Sequence, residues 1–188
     1  SLYGDTIEWV GASAGGNIVE VESDSRTVRT DFDTFHPDVA NIIPPQLAGT
    51  IAQKTGLADD SGWCPIDPLT FESRIHKNIH VLGDATIANA MPKSAFSANA
   101  QAKVCALQVM QILLDQEPVR TTLANTCYSL ITPDYGISVA GVYRPGQYFD
   151  PIPGAGGVSP RNVDLNIRKA EANHARDWFR SVTSQAFG

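Results

Sequence analysis

The sequence predicts a mixed fold of α+β and α/β type, and three observations lead to that prediction. Two stretches of alternating polar and apolar residues, 16–23 and 26–32, flank Asp24-Ser25 and predict a β-hairpin. A short apolar run at 79–82 leads into Gly83-Asp84 and then into a long helical pattern. Further strand patterns near the C-terminus precede a last helix. The chain therefore combines strands and helices rather than using one kind of element.

The remainder of the first half contains only short elements. Residues 39–43 form an apolar run that predicts a short buried strand, which ends at Pro44-Pro45 because proline cannot donate to a ladder. A short helix is predicted near 46–55, with Gly56 as its C-terminal stop. Residues 57–78 show no regular periodicity and are predicted to be largely irregular.

The clearest helix in the sequence runs from about Ser94 to Leu114. Its apolar and polar residues recur with helical spacing, so they fall on two different faces. The apolar face consists of Ala98, Ala102, Cys105, Val109 and Ile112, and the polar face consists of Ser97, Gln101, Gln108, Gln111 and Asp115.

The C-terminal part of the sequence predicts a small sheet and a helix. Residues 127–131 and 136–143 have the composition of two strands joined by a turn. Residues 145–153 are predicted to be a loop. Ser159-Pro160 is a suitable N-cap and first-turn pair for a last helix that ends near residue 181.

Composition limits the possible classes of protein. The 188 residues are 43% hydrophobic and 18% charged, which is typical of a folded domain. The net charge of -6 argues against nucleic acid as a partner and is compatible with a basic protein partner. No apolar run approaches 18 residues, so no membrane span is predicted, and no signal peptide is recognised. The three cysteines and four histidines have no metal-binding spacing, so no metal site is predicted.

The segment from Gly83-Asp84 to Pro92-Lys93-Ser94 is the strongest candidate for a functional site. An apolar run that leads into Gly-Asp, then a loop and a long helix, resembles the second half of the FAD site in flavoproteins with two dinucleotide-binding domains. In such a site the glycine lets the backbone approach the cofactor closely, and the aspartate can accept a hydrogen bond from a ribityl hydroxyl. The helix that follows presents unpaired N–H groups to an electron-rich flavin ring. The alternative is purely structural, with the aspartate capping a turn after a buried strand.

The sequence contains no fingerprint for the ADP half of a dinucleotide. The motif requires Gly-x-Gly-x-x-Gly between a strand and a helix. Neither glycine-rich stretch, 11–16 or 154–159, matches it, and both are predicted to be loops. The sequence therefore predicts at most one half of an FAD site.

The sequence leaves open the roles of several individual side chains. Cys127 is either a small core residue or a redox thiol beside a flavin. Cys105 is assigned a structural role because it lies on the apolar helix face, whereas Cys64 stays ambiguous. Trp178 either packs in the core or stacks near a flavin and excludes water.

These residues resemble those of a known family. The chain is similar to the C-terminal half of the flavoprotein subunit of flavocytochrome c sulfide dehydrogenases. The similar stretches follow the same order along nearly the whole chain: 41–46, 62–67, 70–73, Ile79-His-Val-Leu-Gly-Asp84, 91–94, 97–104, Asn125-Thr-Cys-Tyr-Ser129, 133–138, and the end of the chain from Trp178 to Gly188.

The resemblance implies a glutathione-reductase-like flavoprotein with two dinucleotide-binding domains. Such proteins oxidise sulfide at FAD and a redox disulfide, and pass electrons to a c-type, dihaem cytochrome subunit in the periplasm. Sulfide attack on the disulfide gives a persulfide on one cysteine. The haem belongs to the partner subunit alone. For this sequence the resemblance implies that Cys127 is a redox thiol and that Trp178 lies next to the flavin. It implies that Gly83 and Asp84 contact the ribityl and phosphate region of FAD. It also implies that Lys93, Ser94 and Ala95 lie near the pyrimidine end of the flavin.

The resemblance also implies a domain organisation. Residues 1–70 would be the tail of the second, NAD-like dinucleotide-binding domain. Residues 71–115 would be the C-terminal part of the FAD-binding domain, and 116–188 the flavin-facing C-terminal domain. The family's N-terminal half contains the second redox cysteine and also the cysteine to which such proteins often attach FAD. We therefore expect these residues alone to be inactive and to need that half.

Two other functions fit part of the pattern. A sulfide:quinone oxidoreductase would need an apolar or amphipathic C-terminus, whereas residues 176–188 are polar. A docking module would bind a cytochrome without performing chemistry. The surroundings of Cys127 distinguish an enzyme from a docking module: a thiol that faces a cleft with Trp178 close by supports the enzyme, and a thiol packed in an apolar core supports the module.

Overall fold

A computed structural model describes residues 4–188 and divides the chain into two compact units, Ser1–Gln46 and Leu47–Gly188. The first unit contains a three-stranded antiparallel sheet of β1 (Ile18–Glu22), β2 (Thr27–Thr30) and β3 (Thr34–Phe35). The predicted hairpin is confirmed, because β1 and β2 pair antiparallel across the Asp24-Ser25 turn.

The predicted strand at 39–43 is wrong. These residues have no strand partner, and Val39 and Ile43 are 85% and 83% exposed. A strand is stable only when its backbone groups pair with a neighbour. The apolar composition of this run is therefore not a sufficient signal for a strand.

The second unit begins with a short helix and a long irregular segment. Helix α1 spans Thr50–Lys54, and Gly56 has a left-handed φ of +69°, so the predicted helix and its stop are confirmed with a later start. The strand predicted at 79–82 is wrong, since only His80 is paired there, with Glu72. Gly83–Ala85 forms a single 3₁₀ turn.

Helix α2 spans Ala95–Leu113 and confirms the predicted long helix. Ser94 is its N-cap, and its hydroxyl accepts the backbone N–H of Ser97 at 3.1 Å. The prediction from the apolar periodicity is wrong about which face is buried. The buried positions are Ser97, Gln101, Cys105 and Gln108, three of which belong to the polar face. Each of these three polar side chains hydrogen-bonds another part of the unit, which offsets the cost of its burial.

Three long antiparallel strands follow α2 in the order β4 (Leu123–Thr132), β5 (Tyr135–Pro145) and β6 (Phe149–Val158). Strands β4 and β5 were predicted. Strand β6 overturns the predicted loops at 145–153 and 154–159. It lies at the edge of the sheet, where proline and glycine are tolerated because one side of the strand needs no ladder partner.

Helix α3 spans Leu165–Phe187 and is capped by Asp164, whose carboxylate accepts the N–H of Asn166 at 2.7 Å. The start predicted at Ser159-Pro160 is wrong. The Ser159 hydroxyl instead bonds to the backbone of Ser138 on β5 and to the Glu171 carboxylate on α3. These bonds attach the helix to the sheet.

The main core of the second unit lies between α2, the preceding irregular segment and the near end of the sheet. Its buried side chains are Ile66, Phe71, Ala88, Met91, Cys105, Leu123, Tyr143 and Phe149. This arrangement confirms a mixed α and β fold. Within residues 4–188, no helix is both long and apolar enough to cross a membrane.

Candidate functional site

A mainly apolar cavity of about 700 Å³ lies where the start of α2, strand β4 and the C-terminal half of α3 meet. Its walls combine small, aromatic and aliphatic side chains with two arginines. The lining residues are Ser94, Ala95, Phe96, Thr126, Cys127, Tyr128, Leu130, Ala175, Arg176, Trp178, Phe179 and Arg180. Four residues predicted from the sequence, Ser94, Ala95, Cys127 and Trp178, thus line one cavity.

Cys127 is exposed and lies in the middle of β4. Alternate residues of a strand point to the same side, so Cys127 follows Leu123 and Asn125 on one face of the sheet. Those two residues are buried, and the burial ends at Cys127. Its strand neighbour Val139 is 47% exposed. The thiol therefore lies at the edge of the packed core, on the cavity wall.

A hydrogen-bond network joins this thiol to the start of α2. Asn125 is 1% exposed, and its side-chain oxygen accepts the hydroxyls of Ser94 at 2.6 Å and Ser97 at 3.0 Å. Its Nδ2 donates to the Cys127 Sγ at 3.3 Å. One buried amide thus connects the helix cap to the sulfur.

The aromatic wall of the cavity is formed by a stacked pair. The rings of Phe96 on α2 and Trp178 on α3 have centroids 5.4 Å apart and planes inclined by 17°. The two arginines in the lining are already engaged, Arg176 with Asn173 and Arg180 with Asp177. The stacked rings of Phe96 and Trp178 give one side of the cavity an apolar surface, as a site that excludes water requires.

The predicted Gly83-Asp84 turn lies outside the cavity lining. Gly83 has a φ of +73°, which favours glycine, and its N–H donates to the Gln101 side chain at 2.7 Å. The Asp84 side chain is exposed. Helix α2 thus holds the turn in place through Gln101, and the Asp84 carboxylate on the turn is exposed.

Lys93 is directed towards the backbone of this same turn. Its Nζ donates to the carbonyl oxygens of Asp84 and Thr86, both at 2.7 Å, and lies 3.7 Å from the centre of the Trp63 ring. Burial lowers the pKa of Lys93, while the nearby Asp84 carboxylate opposes that change. In this structure the side chain joins two loop segments and does not line the cavity.

The other two thiols are enclosed. Cys105 is part of the main core, as its place on the apolar face of α2 predicted, and Cys64 is fully buried in a small second cluster. Burial raises the pKa of both thiols, and the Asp59 carboxylate adds to the effect at Cys64. A thiol held in its neutral form is a poor nucleophile. Among the three cysteines, Cys127 is therefore the accessible one.

Sequence reasoning missed the buried polar residues of this region. The Asn125 side chain accepts a hydrogen bond from Ser94, the N-cap of α2, and the Gln101 side chain accepts one from the backbone of the Gly83 turn. The spacing Asn125-x-Cys127 was an available signal, because residues two apart on a strand share a face. No local pattern marked Gln101, whose partner lies 18 residues earlier in the chain.

The residues present are compatible with a bound flavin. The cavity has apolar walls with an aromatic pair, and an exposed carboxylate stands beside a glycine turn where a hydroxyl-bearing chain needs an acceptor. This chemistry matches a group with a flat apolar ring and a polyhydroxylated tail. Ser94, Ala95 and Trp178 line this cavity, whereas Asp84 lies on the Gly83 turn outside its lining.

The region that forms the cavity is similar to the flavin-binding domains of sulfide-oxidising flavoproteins. Residues 119–187 match the family described as flavocytochrome c sulphide dehydrogenase, flavin-binding. The matched segment includes all three strands of the C-terminal sheet and helix α3, and with them Cys127 and Trp178. The resemblance predicted from the sequence is confirmed over this segment.

A relative among well-characterised proteins points in the same direction. The chain is 24% identical to the mitochondrial sulfide:quinone oxidoreductase of Mus musculus over 95 residues. That alignment covers 50% of this chain and 21% of the mouse protein. The chain thus spans about a fifth of the length of this relative.

Proposed function

We propose that this chain supplies the flavin-facing wall of an FAD-dependent sulfide dehydrogenase, in which Cys127 is the redox thiol. The observation that carries the proposal is the position of Cys127, which faces an apolar cavity that Trp178 also lines. A docking module would have no need of an accessible thiol in such a cavity. The similarity of residues 119–187 to a flavin-binding domain supports the same function.

Each part of the chain has a distinct task in this proposal. Cys127 would contribute one sulfur of a redox disulfide; sulfide attacks that disulfide, the S–S bond breaks, one cysteine becomes a persulfide and the other leaves as a thiolate. The stacked pair of Phe96 and Trp178 gives the cavity beside it an apolar wall. Asp84 accepts a hydroxyl of the cofactor tail, and the first turn of α2 presents its N–H groups to the ring. Bound FAD would supply a two-electron acceptor for the sulfur chemistry.

The complete reaction requires groups that these residues do not provide. The sequence lacks the fingerprint for the ADP half of FAD, so we propose that a further dinucleotide-binding segment, bearing the second redox cysteine, completes the site. Electrons would then pass to a c-type cytochrome subunit that carries the haem. The periplasm would be the compartment of such a complex. The glutathione-reductase-like organisation, with domain boundaries near residues 70 and 115, is part of the same proposal.

The proposal is tested by replacing the thiol in FAD-loaded protein that also includes the further dinucleotide-binding segment. Cys127→Ser should abolish bleaching of the flavin absorbance by sulfide under anaerobic conditions. Cys105→Ala is the matched control, since it removes a thiol from the buried core and should leave the bleaching intact. Wild-type bleaching in Cys127→Ser would exclude Cys127 as the redox thiol.

A quinone-reducing enzyme is the second candidate, and the similarity to the mouse sulfide:quinone oxidoreductase favours it. The two functions differ in the electron acceptor. Sulfide-dependent reduction of a c-type cytochrome, with none of a soluble ubiquinone analogue, supports the dehydrogenase. The opposite preference supports the quinone-linked enzyme.

A further inference from the structure

We propose that Asn125 is a positioning residue for Cys127, because it holds a side-chain N–H against the sulfur in an orientation that its other partners fix. This inference rests on the proposed function of Cys127 as a reactive thiol. It adds a residue that acts on the thiol from within the protein and does not contact the substrate.

The partners of the amide determine its orientation. Asn125 has one acceptor oxygen and one NH₂ donor group. The oxygen receives the hydroxyl protons of Ser94 and Ser97 at 2.6 and 3.0 Å. In the reversed orientation the NH₂ group would face these two hydroxyls, and the carbonyl oxygen would face the sulfur. The observed orientation gives both serine protons an acceptor: the Ser94 hydroxyl already accepts the N–H of Ser97, and the buried Ser97 hydroxyl donates to the same Asn125 oxygen.

The fixed orientation makes the Cys127 sulfur an acceptor. Nδ2 lies 3.3 Å from Sγ, within the range of an N–H···S hydrogen bond. A hydrogen bond to an ionised acceptor is stronger than one to a neutral acceptor, and the thiolate is the nucleophilic form of a cysteine. Because Asn125 is almost completely buried, water does not compete for this bond on the protein side.

Few other ionisable groups face this sulfur. Strand β5 contributes Tyr143, whose pKa is raised by burial and by its proximity to Cys127. Helix α3 contributes Arg176 and Arg180 to the cavity wall, and the first turn of α2 contributes none. Both arginines are occupied by partners of their own, Asn173 and Asp177. The amide of Asn125 is therefore the donor that the structure places on the sulfur.

The test compares the rate at which iodoacetamide alkylates Cys127 in variants of the full 188-residue chain, without flavin or sulfide. Asn125→Asp keeps an acceptor for the serine hydroxyls but removes the donor and places a negative charge by the sulfur. Asn125→Ala removes both functions. Asn166→Asp is the charge control, since it introduces the same change in the first turn of α3, away from the cavity lining.

The expected order of rates separates a donor role from a purely structural one. At pH 7.5, Asn125→Ala should be alkylated about threefold more slowly than wild type, because the sulfur loses its N–H donor. Asn125→Asp should be about tenfold slower, because its carboxylate adds repulsion of the charged sulfur to the same loss; Asn166→Asp should be unchanged. If Asn125 served packing alone, Asn125→Ala would be alkylated at the wild-type rate or faster, because the space it leaves only widens access to the sulfur.

The other two cysteines report on folding in the same experiment. Cys64 and Cys105 are buried, so they remain unlabelled unless the chain opens. Trypsin separates the three thiols into different peptides, since Arg74, Lys103 and Arg120 lie between them. If Asn125→Asp exposes the buried thiols, Asn125→Ala becomes the deciding variant. A wild-type rate at Cys127 in a folded variant would overturn the proposal, whatever the outcome of the sulfide assay.

Discussion

Helix α3 lies close to the sheet at Gly136, and adding one methyl group there tests how firmly the helix is held. A Cβ at this position would lie 2.6 Å from the backbone N of Ala172 and 2.9 Å from its Cα. Both contacts are with backbone, which cannot rotate away. The helix would have to retreat by roughly 0.8 Å to restore an ordinary van der Waals distance.

The expected cost of Gly136→Ala follows from this overlap. Overpacking of this kind costs about 1–3 kcal/mol of the free energy of unfolding. Alanine also restricts the unfolded chain more than glycine does, which raises the free energy of unfolding by about 0.4–1 kcal/mol. For a domain of this size a net loss of ~1–2 kcal/mol should lower the Tm by roughly 3–8 °C.

A matched glycine in the same sheet provides the control. Gly157 on strand β6 has nothing within 4 Å of the position that a Cβ would take. Gly157→Ala should therefore gain about 0.4–1 kcal/mol, since only the unfolded-state effect applies. Both variants can be followed by thermal unfolding with circular dichroism and by urea titration. Equal stability of the two variants would refute the close approach of α3 to β5.

Three further predictions concern the same unit. Gln101→Leu should lower the free energy of unfolding in urea by about 1–3 kcal/mol, because the half-buried N–H of Gly83 loses its acceptor; a neutral result would show that the turn finds another partner. A double-mutant cycle of Phe96→Leu and Trp178→Leu should give a coupling of about 1 kcal/mol for the stacked rings, against zero if they do not interact. Hydrogen bonds from Ser159, Ser138 and Arg168 lower the pKa of Glu171, although burial opposes them. The free energy of unfolding of the wild type should therefore fall, relative to that of Glu171→Gln, as the pH drops below about 4.5 and through this lowered pKa. Parallel curves of stability against pH for the two proteins would contradict this prediction.

The elements that could be predicted from sequence are those with a strong local signal. The β1–β2 hairpin and helix α2 have clear periodicities, and the structure contains both. Strand β6 has no such signal, because its Pro- and Gly-rich sequence is held by pairing with β5. Ile79 and its neighbours show the reverse case, since this apolar run forms a single bridge, between His80 and Glu72, and no strand.

The candidate site was predictable in part. The positions of Cys127 and Trp178 could be proposed from a resemblance, and both line the cavity. The contribution of α2 could not be read from its pattern, since its buried face contains Ser97 and Gln101 rather than alanines. Burial of these polar side chains depends on partners distant in sequence, which a helical periodicity does not reveal.

The Gly83 turn has a consequence for the kind of chemical group it can select. Its N–H is committed to Gln101, so it is not free to complement a phosphate, and the adjacent Asp84 carboxylate would repel one. A hydroxyl group, in contrast, brings its own proton to that carboxylate. A turn with this arrangement would therefore favour a hydroxyl-bearing group over a phosphate, whose negative charge would have to be balanced by other residues.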